Sequence, residues 1–353
     1  MSWEDNVRKV VPYTPGEQPK SDGIIKLNTN ECPYPPAPGV KKILEEENYK
    51  DLRLYPEADT GSLVKCLAEY YKLSPKQVFV GVGSDDVISV AFLTFFNSDK
   101  PVFFPDVTYS FYPVWADVYK IPYETKALDQ DFRIVKEDYI APNGGIIIPN
   151  PNAPTGLLES RETIEYIIKN NPDSIVMIDE AYVDFAGDDA SVLPLLDKYE
   201  NLLVIRTFSK SRAMAGVRIG FAMGSEKLIK YINDVKYSIN SYTMNTPSLL
   251  LGAEAVRDDA YFKETLAKII NTREWMKKEL KALGFTFGDS KSNFVFAKHE
   301  TKNAKDIFEF LKSKGIYVRY FDAPRTKDYL RITVGTDDEV QTLIATLTEL
   351  LQN

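Results

Sequence analysis

The strongest constraint on the fold is a series of short apolar runs that alternate with helical stretches between about residue 78 and residue 225. The runs cover residues 78–80, 102–104, 145–148, 175–178 and 202–205. Near-continuous apolar strands of this kind are typical of a parallel sheet that is buried on both faces. We therefore predict an α/β fold with a large domain, in which helices cover both faces of a mostly parallel sheet.

Polar side chains follow these runs at the positions where the strands would end. They are Ser84, Tyr109, Asn152, Asp179 and Lys210. In parallel α/β sheets, ligands bind outside the carboxyl ends of the strands, so one cleft can collect all five side chains. This convergence is the main argument from the residues alone for a ligand site.

Lys210 is the first candidate for chemistry, because a lysine amine can form a Schiff base with a carbonyl. The neighbouring Ser209 and Arg218 can hold a phosphate, so the segment suggests a lysine for pyridoxal phosphate. A Ser-Lys pair alone is more often a solvated loop end. Asp179 shifts the balance, because a carboxylate after a fully apolar strand needs a polar network or a ligand, and we favour the ligand.

A glycine turn precedes the first of the apolar helices. Gly81 and Gly83 follow a strand, and Ser84 and Asp85 come next. A strand, a glycine turn and a helix start form the geometry of a backbone anion site. The two polar side chains can also be simple helix caps, and both interpretations are compatible. Tyr109 can stack on a planar ring, although packing in the core is the commoner fate of such a residue.

The two ends of the chain differ from its middle. Prolines crowd the first forty residues and predict an extended arm. Helices dominate residues 225–283, and a β-α-β pattern follows with strands at 294–297, 317–319 and 330–334. We expect an arm at 1–29 that packs on the small domain and a partner subunit, a large domain at 30–261 and a smaller α+β domain at 262–353. Arg331 lies inside an apolar strand, where it needs either an ion pair or a substrate anion.

Composition excludes several functions. The net charge of −8 argues against nucleic acid or an anionic membrane as the main partner. Two cysteines and one histidine, His299, leave little for a metal site or a disulfide framework, and we expect His299 at the surface. No signal peptide or membrane-spanning segment is visible, so we expect a cytoplasmic protein.

Eight short strings together resemble the fold-type-I pyridoxal-phosphate aminotransferases and, within them, the members that act on histidinol phosphate. The resemblance covers nearly the whole chain. The strings are Pro12-Tyr13-x-Pro15-Gly16, Asn28-x-Asn30-Glu31, Tyr55-Pro56, Pro154-Thr155-Gly156, Asp179-Glu180-Ala181-Tyr182, Thr207-x-Ser209-Lys210, Gly216-x-Arg218-x-Gly220 and Leu330-Arg331-Ile332-Thr333-Val334-Gly335-Thr336.

The resemblance implies a role for each candidate residue. Lys210 would hold the cofactor, Asp179 would pair with its ring nitrogen and Tyr182 would bond its ring oxygen. Ser209, Arg218 and the backbone at Ser84 and Asp85 would hold its phosphate, while Tyr109 would stack on the ring. Tyr55 would reach the cofactor phosphate of a neighbouring subunit, so a homodimer would share its active sites. The expected substrate contacts are Tyr13, Asn30, Arg319 and Arg331.

One position departs from the family pattern. The family has asparagine directly before Pro-Thr-Gly, where it bonds the ring oxygen, but this chain has Ala153 there and Asn152 one residue earlier. Either Asn152 substitutes through a shifted turn, or Tyr182 carries that bond alone.

The implied reaction transfers an amino group between L-histidinol phosphate and 2-oxoglutarate or glutamate. Aromatic amino-acid transamination and threonine-phosphate decarboxylation are alternatives on the same cofactor set. A non-catalytic cofactor-binding module is a further alternative, which we disfavour because the chain shows no added DNA-binding segment.

Overall fold

The computed structural model describes residues 2–20, 23–46 and 49–352. Its strands are β1 Ile25–Lys26, β2 Val78–Gly81, β3 Val102–Pro105, β4 Tyr123–Lys126, β5 Gly145–Pro149, β6 Val176–Asp179, β7 Leu202–Thr207, β8 Gly220–Gly224, β9 Phe285–Phe287, β10 Phe294–His299, β11 Ile316–Tyr317, β12 Arg319–Tyr320 and β13 Leu330–Thr333. Its α-helices are α1 Pro38–Glu46, α2 Gly61–Tyr71, α3 Gly83–Phe95, α4 Phe111–Tyr119, α5 Arg161–Lys169, α6 Glu226–Ile239, α7 Thr246–Arg257, α8 Asp259–Ala282, α9 Ala304–Ser313 and α10 Asp337–Gln352.

A seven-stranded sheet forms the centre of the large domain, with the strand order β2-β8-β7-β6-β5-β3-β4. All neighbours are parallel except β8, which runs antiparallel to both β2 and β7. The prediction of a mostly parallel sheet is therefore confirmed. β4 and β8 were not predicted from the sequence. The first is a mostly exposed, polar edge strand, and the second begins and ends with glycine.

Helices cover both faces of this sheet, because consecutive strand residues point to opposite sides. Ile178 and Val204 belong to one core cluster, which α2, α5 and α7 complete. Met177 and Leu203 belong to the opposite cluster, which α3, α4 and α6 complete. Apolar side chains on both faces explain why these strands appear in the sequence as continuous apolar runs.

The smaller domain contains an antiparallel sheet in the order β12-β13-β10-β9, packed against α8, α9 and α10. The prediction of a single strand at 317–319 is wrong, because this part of the chain forms two short strands. β11 pairs in parallel with the arm strand β1, and β12 pairs with β13. Val318 is buried between them. The division occurs because the arm supplies a separate partner for β11. The domain boundaries remain a prediction.

Candidate active site

A cavity of about 170 Å³ opens at the carboxyl ends of the large-domain strands. We call it the inner cavity. Eight of the predicted residues line it, each from a strand end, a following loop or a helix start. They are Ser84, Asp85, Tyr109, Asp179, Tyr182, Ser209, Lys210 and Arg218.

Asp179 is the last residue of β6 and is almost completely buried. Its Oδ2 accepts a hydrogen bond from the Tyr112 hydroxyl at 2.9 Å, and its Oδ1 accepts one from the Ala181 backbone N–H at 3.1 Å. Burial raises the pKa of Asp179 to about 6, and these two hydrogen bonds oppose that rise. Over the described residues, no lysine or arginine forms an ion pair with it. Asp179 is therefore suited to a cation that a ligand brings.

Lys210 lies in the loop after β7, with its amine directed into the inner cavity. The Nζ atom donates to the Thr29 backbone carbonyl at 3.2 Å and lies 5.8 Å from the centre of the Tyr182 ring. Among the described carboxylates, none is within ion-pair distance of this amine. A backbone carbonyl thus orients the amine without a compensating charge, which leaves it available to react with a bound carbonyl.

The opposite end of the inner cavity is built to accept an anion. α3 begins there, and the first N–H groups of a helix have no partner within it. Gly83 has φ +83°, and a Cβ atom at this position would lie 2.5 Å from Arg218 Nη2. A Cβ at Gly220 would lie 2.2 Å from the Ser84 backbone nitrogen. Glycine at both positions therefore allows a guanidinium and backbone amides to converge.

Hydroxyl and carboxylate groups complete this anion-binding end. Thr207 Oγ1 donates to Ser209 Oγ at 3.0 Å. Arg218 Nη2 contacts Asp85 Oδ2 at 3.3 Å, and the Tyr109 hydroxyl donates to Asp85 Oδ1 at 3.0 Å. Burial, together with the Asp85 charge, raises the pKa of Tyr109 far above its usual value, so Tyr109 stays a neutral donor.

Asn30 connects three parts of the chain behind the inner cavity. Its Nδ2 donates to the Tyr182 hydroxyl at 3.0 Å, and its Oδ1 accepts from Thr333 Oγ1 at 3.0 Å. The Asn293 side chain donates to its carbonyl at 3.0 Å. The backbone φ of Asn30 is +57°, a conformation that asparagine tolerates better than most residues. Its side chain thus positions Tyr182.

A second cavity, of about 350 Å³, adjoins the first and shares Lys210, Tyr109 and Tyr182 with it. We call it the outer cavity, and the predicted substrate residues Tyr13, Asn30, Arg319 and Arg331 all line it.

Arg331 has an incomplete set of partners in the outer cavity. Its Nη2 donates to the Asn28 carbonyl at 2.9 Å, while its Nε is buried without a hydrogen-bond partner. Burial lowers the pKa of Arg331. In the part of the chain that the structure describes, it forms no ion pair with a carboxylate. Of the two possibilities for this arginine, a substrate anion is therefore the better supported.

Two of the predicted cofactor residues do not line the inner cavity. Asn152 Nδ2 donates to the Val107 carbonyl at 2.9 Å and to Thr155 Oγ1 at 3.2 Å, and its Oδ1 is buried without a partner. Ala153 lines the cavity in its place. The structure thus places the alanine, and not the preceding asparagine, at the wall of the inner cavity. Tyr55 is 81% exposed and stacks on Tyr242 at 4.6 Å.

Several contacts of this site were not predicted from the sequence. Tyr112 bonds Asp179, Thr29 bonds Lys210 through its backbone, and Asn293 bonds Asn30. Tyr112 lies in the first turn of α4, and its type was a partial signal, because a buried tyrosine hydroxyl needs an acceptor. A backbone carbonyl leaves no signal in the sequence.

No candidate metal site and no membrane-spanning helix is found in the described ranges 2–20, 23–46 and 49–352. No group of three His, Cys, Asp or Glu side chains there is placed to hold a metal ion, and none of the helices there is long and apolar enough to cross a membrane. His299 is half-buried, and its Nδ1 accepts from the backbone N–H of Lys302 at 3.0 Å.

Comparison with known proteins assigns the class. Residues 22–347 match the family described as aminotransferase class I and II, and the chain belongs to that family. It is 50% identical, over 353 residues, to a histidinol-phosphate aminotransferase of Lactococcus lactis subsp. cremoris strain MG1363, covering 100% of this chain and 99% of that one. It is 48% identical over 349 residues to a histidinol-phosphate aminotransferase of Brachyspira hyodysenteriae, covering 99% and 98%.

A solved structure agrees with the fold. Histidinol-phosphate aminotransferase from Sinorhizobium meliloti, in complex with pyridoxal-5'-phosphate, superposes with a TM-score of 0.85 at 24% identity, covering 93% of this chain and 91% of that one. The family depends on pyridoxal phosphate. The inner cavity fits that group. It offers the Lys210 amine, the buried Asp179 carboxylate, which has no ion-pair partner among the described residues, and an anion-binding end that two glycines keep open.

Proposed function

We propose that this chain transfers an amino group between L-histidinol phosphate and 2-oxoglutarate or glutamate, with pyridoxal phosphate as its cofactor. Relatives about 50% identical over the full length carry that activity in their names. The main support for the proposal is the outer cavity, which Arg319 and Arg331 line together with Lys210. These arginines offer a second anion site, separate from the one that would hold the cofactor phosphate.

The described side chains suit distinct steps of a transamination. The bound pyridoxal-phosphate ring supplies an electron sink for the substrate carbon that carries the amine. Lys210 would take the proton from that substrate carbon as a base and, as an acid, would pass it to the cofactor and not back to the same carbon. Asp179 would keep a proton on the ring nitrogen, while Tyr182 and Tyr109 would contact the ring. Ser209, Arg218 and the amides at Ser84 and Asp85 would hold the cofactor phosphate.

The outer cavity would select the substrate. Tyr13 reaches it from the arm, and its ring stacks on Phe111 at 4.5 Å. Arg319 Nη2 lies 3.5 Å from the Thr14 carbonyl, so the arm and the small domain close the cavity together. A phosphorylated substrate would place its phosphate between the two arginines, because a guanidinium can bind phosphate through two parallel hydrogen bonds.

A substrate panel with 2-oxoglutarate as acceptor tests the proposal. We expect turnover of histidinol phosphate to exceed that of phenylalanine, and no release of carbon dioxide from threonine phosphate. Lys210→Ala should bind cofactor without turning over. A preference for phenylalanine would instead indicate an aromatic aminotransferase, and carbon dioxide release would indicate a decarboxylase. A protein that binds the cofactor but turns over none of the three substrates would support a binding module.

We also propose a homodimer with shared active sites. Tyr55 and Tyr242 form an exposed aromatic pair, and the neighbouring Leu52 and Leu54 are exposed as well. A second copy that covers this apolar surface would bring Tyr55 towards the cofactor phosphate of its partner. We place the enzyme in the cytoplasm, since its two cysteines are both free thiols.

A further inference from the structure

The loop of residues 321–329 joins two arginines of the outer cavity. Arg319 lies in β12 and Arg331 in β13, where the two are directly paired across the antiparallel ladder. β12 is only two residues long, so its own ladder gives it little stability. The group that fixes this loop therefore helps to fix Arg319 directly. It affects Arg331 less directly, because Arg331 also pairs with Phe296 of β10 on its other side.

Arg325 attaches this loop to the large domain. Its Nη1 donates to Asp106 Oδ2 at 2.7 Å, and its Nη2 donates to the Asp129 carbonyl at 2.7 Å. Asp106 follows β3 directly, and its Oδ1 accepts from the backbone N–H groups of Val107 and Leu128, both at 2.9 Å. The carboxylate is thus oriented before Arg325 reaches it. It also begins the segment that leads to Tyr109.

Phe132 makes a second contact across the same boundary. It belongs to the large domain, and its ring meets Phe296 and Tyr329 of the small domain edge-on, at 5.9 and 5.5 Å. The Arg325 guanidinium lies 5.1 Å from the centre of the Phe132 ring. The φ of Phe132 is +60°, which a bulky residue adopts only where its surroundings hold it there. The contacts between the two domains therefore hold Phe132 in an unfavourable backbone conformation.

We propose that Arg325 is a positioning residue for the substrate arginines, because it holds the 321–329 loop against Asp106 and Asp129. It lines neither the inner nor the outer cavity, so it acts through Arg319 and Arg331. This inference rests on the proposed function for its substrate. The attachment of the loop by Arg325 does not depend on the substrate, and it can be tested without one.

Kinetics of Arg325→Met test the positioning role, with Arg133→Met as the matched control. Arg133 lies beside Phe132 but donates to the Leu158 carbonyl, at 2.8 Å, within the large domain. The readout is the ratio of kcat/KM for histidinol phosphate to kcat/KM for histidinol, which lacks the phosphate. We expect Arg325→Met to lower this ratio about tenfold, through KM, with cofactor absorbance unchanged. A ratio that stays at the wild-type value, or that falls equally in Arg133→Met, overturns the proposal.

Hydrogen exchange tests the hold on the loop independently of substrate. Amides of residues 319–331 should exchange about tenfold faster in Arg325→Met and in Asp106→Asn than in wild type or Arg133→Met. The double variant should exchange no faster than Arg325→Met alone, because that single variant already removes the contact with Asp106. Wild-type exchange in Arg325→Met overturns the proposal. If wild type shows no preference for histidinol phosphate over histidinol, the proposed function fails, and exchange alone then decides whether Arg325 holds the loop.

Discussion

Asp179 carries a carboxylate at a point where the fold offers it little solvation. Its two hydrogen bonds come from a tyrosine and a backbone amide, and neither neutralises a negative charge. The folded chain therefore retains a proton that the unfolded chain would release, until the pH reaches about 6. A cationic ring nitrogen would remove this cost, so the residue that destabilises the empty chain would also bind the cofactor.

The stability of the cofactor-free chain should consequently fall as pH rises from about 4 to about 6, because the folded state binds the extra proton there. Asp179→Asn removes the effect. We expect the variant to be more stable than wild type at pH 7 by about 2 kcal/mol, and equally stable at pH 4. Denaturant unfolding of stripped protein measures this, with the exposed Asp173→Asn as control. A variant less stable than wild type at pH 7 would contradict the argument.

The start of α3 shows how an element can carry a binding function through a missing side chain. At Gly83, a Cβ atom would collide with the Arg218 guanidinium, and φ is +83°. Gly315 has a similar φ of +78° but has no atom within 4 Å of its Cβ position. The two glycines therefore separate backbone strain from the collision.

Gly83→Ala and Gly315→Ala should each lose about 1 kcal/mol of stability, because alanine is strained at positive φ. Only Gly83→Ala should also weaken cofactor binding, by about tenfold, as Arg218 is displaced. Titration of stripped protein with pyridoxal phosphate, followed by absorbance, gives the dissociation constants. Equal affinity in the two variants would show that Arg218 does not depend on this glycine.

The elements that could be predicted are those with a signal in their own residues. β2, β3, β5, β6 and β7 are apolar on both faces and follow directly from the sequence. The edge strand β4 is polar, and β11 and β12 separate only because β1 pairs with one of them. In the site, strand ends predicted Asp179 and Lys210. The position of Ala153 at the cavity depends on how its turn folds. The contact of the Thr29 carbonyl with Lys210 joins distant parts of the chain. Neither can therefore be predicted from the neighbouring residues.

At the scale of the whole molecule, the exposed pair of Tyr55 and Tyr242 is the surface that the proposed dimer would cover. We expect sedimentation to show a dimer. Tyr55→Phe keeps the ring stack and loses the hydroxyl, so it should leave the dimer intact and weaken cofactor binding about tenfold. Tyr123→Phe, on the edge strand β4, is the control. A monomeric wild type, or unchanged affinity in Tyr55→Phe, would argue against shared sites.

The parallel pairing of β1 with β11 affects how the chain folds while the ribosome synthesises it. Ile25 pairs with Ile316, so the ribosome makes the second strand about 290 residues after the first. The large domain can collapse during translation, whereas the arm has to wait until the end of the chain has emerged. Such a late, long-range contact is expected to be slow to form. Because Asn30 and Tyr13 lie on either side of β1, the outer cavity should be the last part of a newly synthesised chain to reach its folded structure.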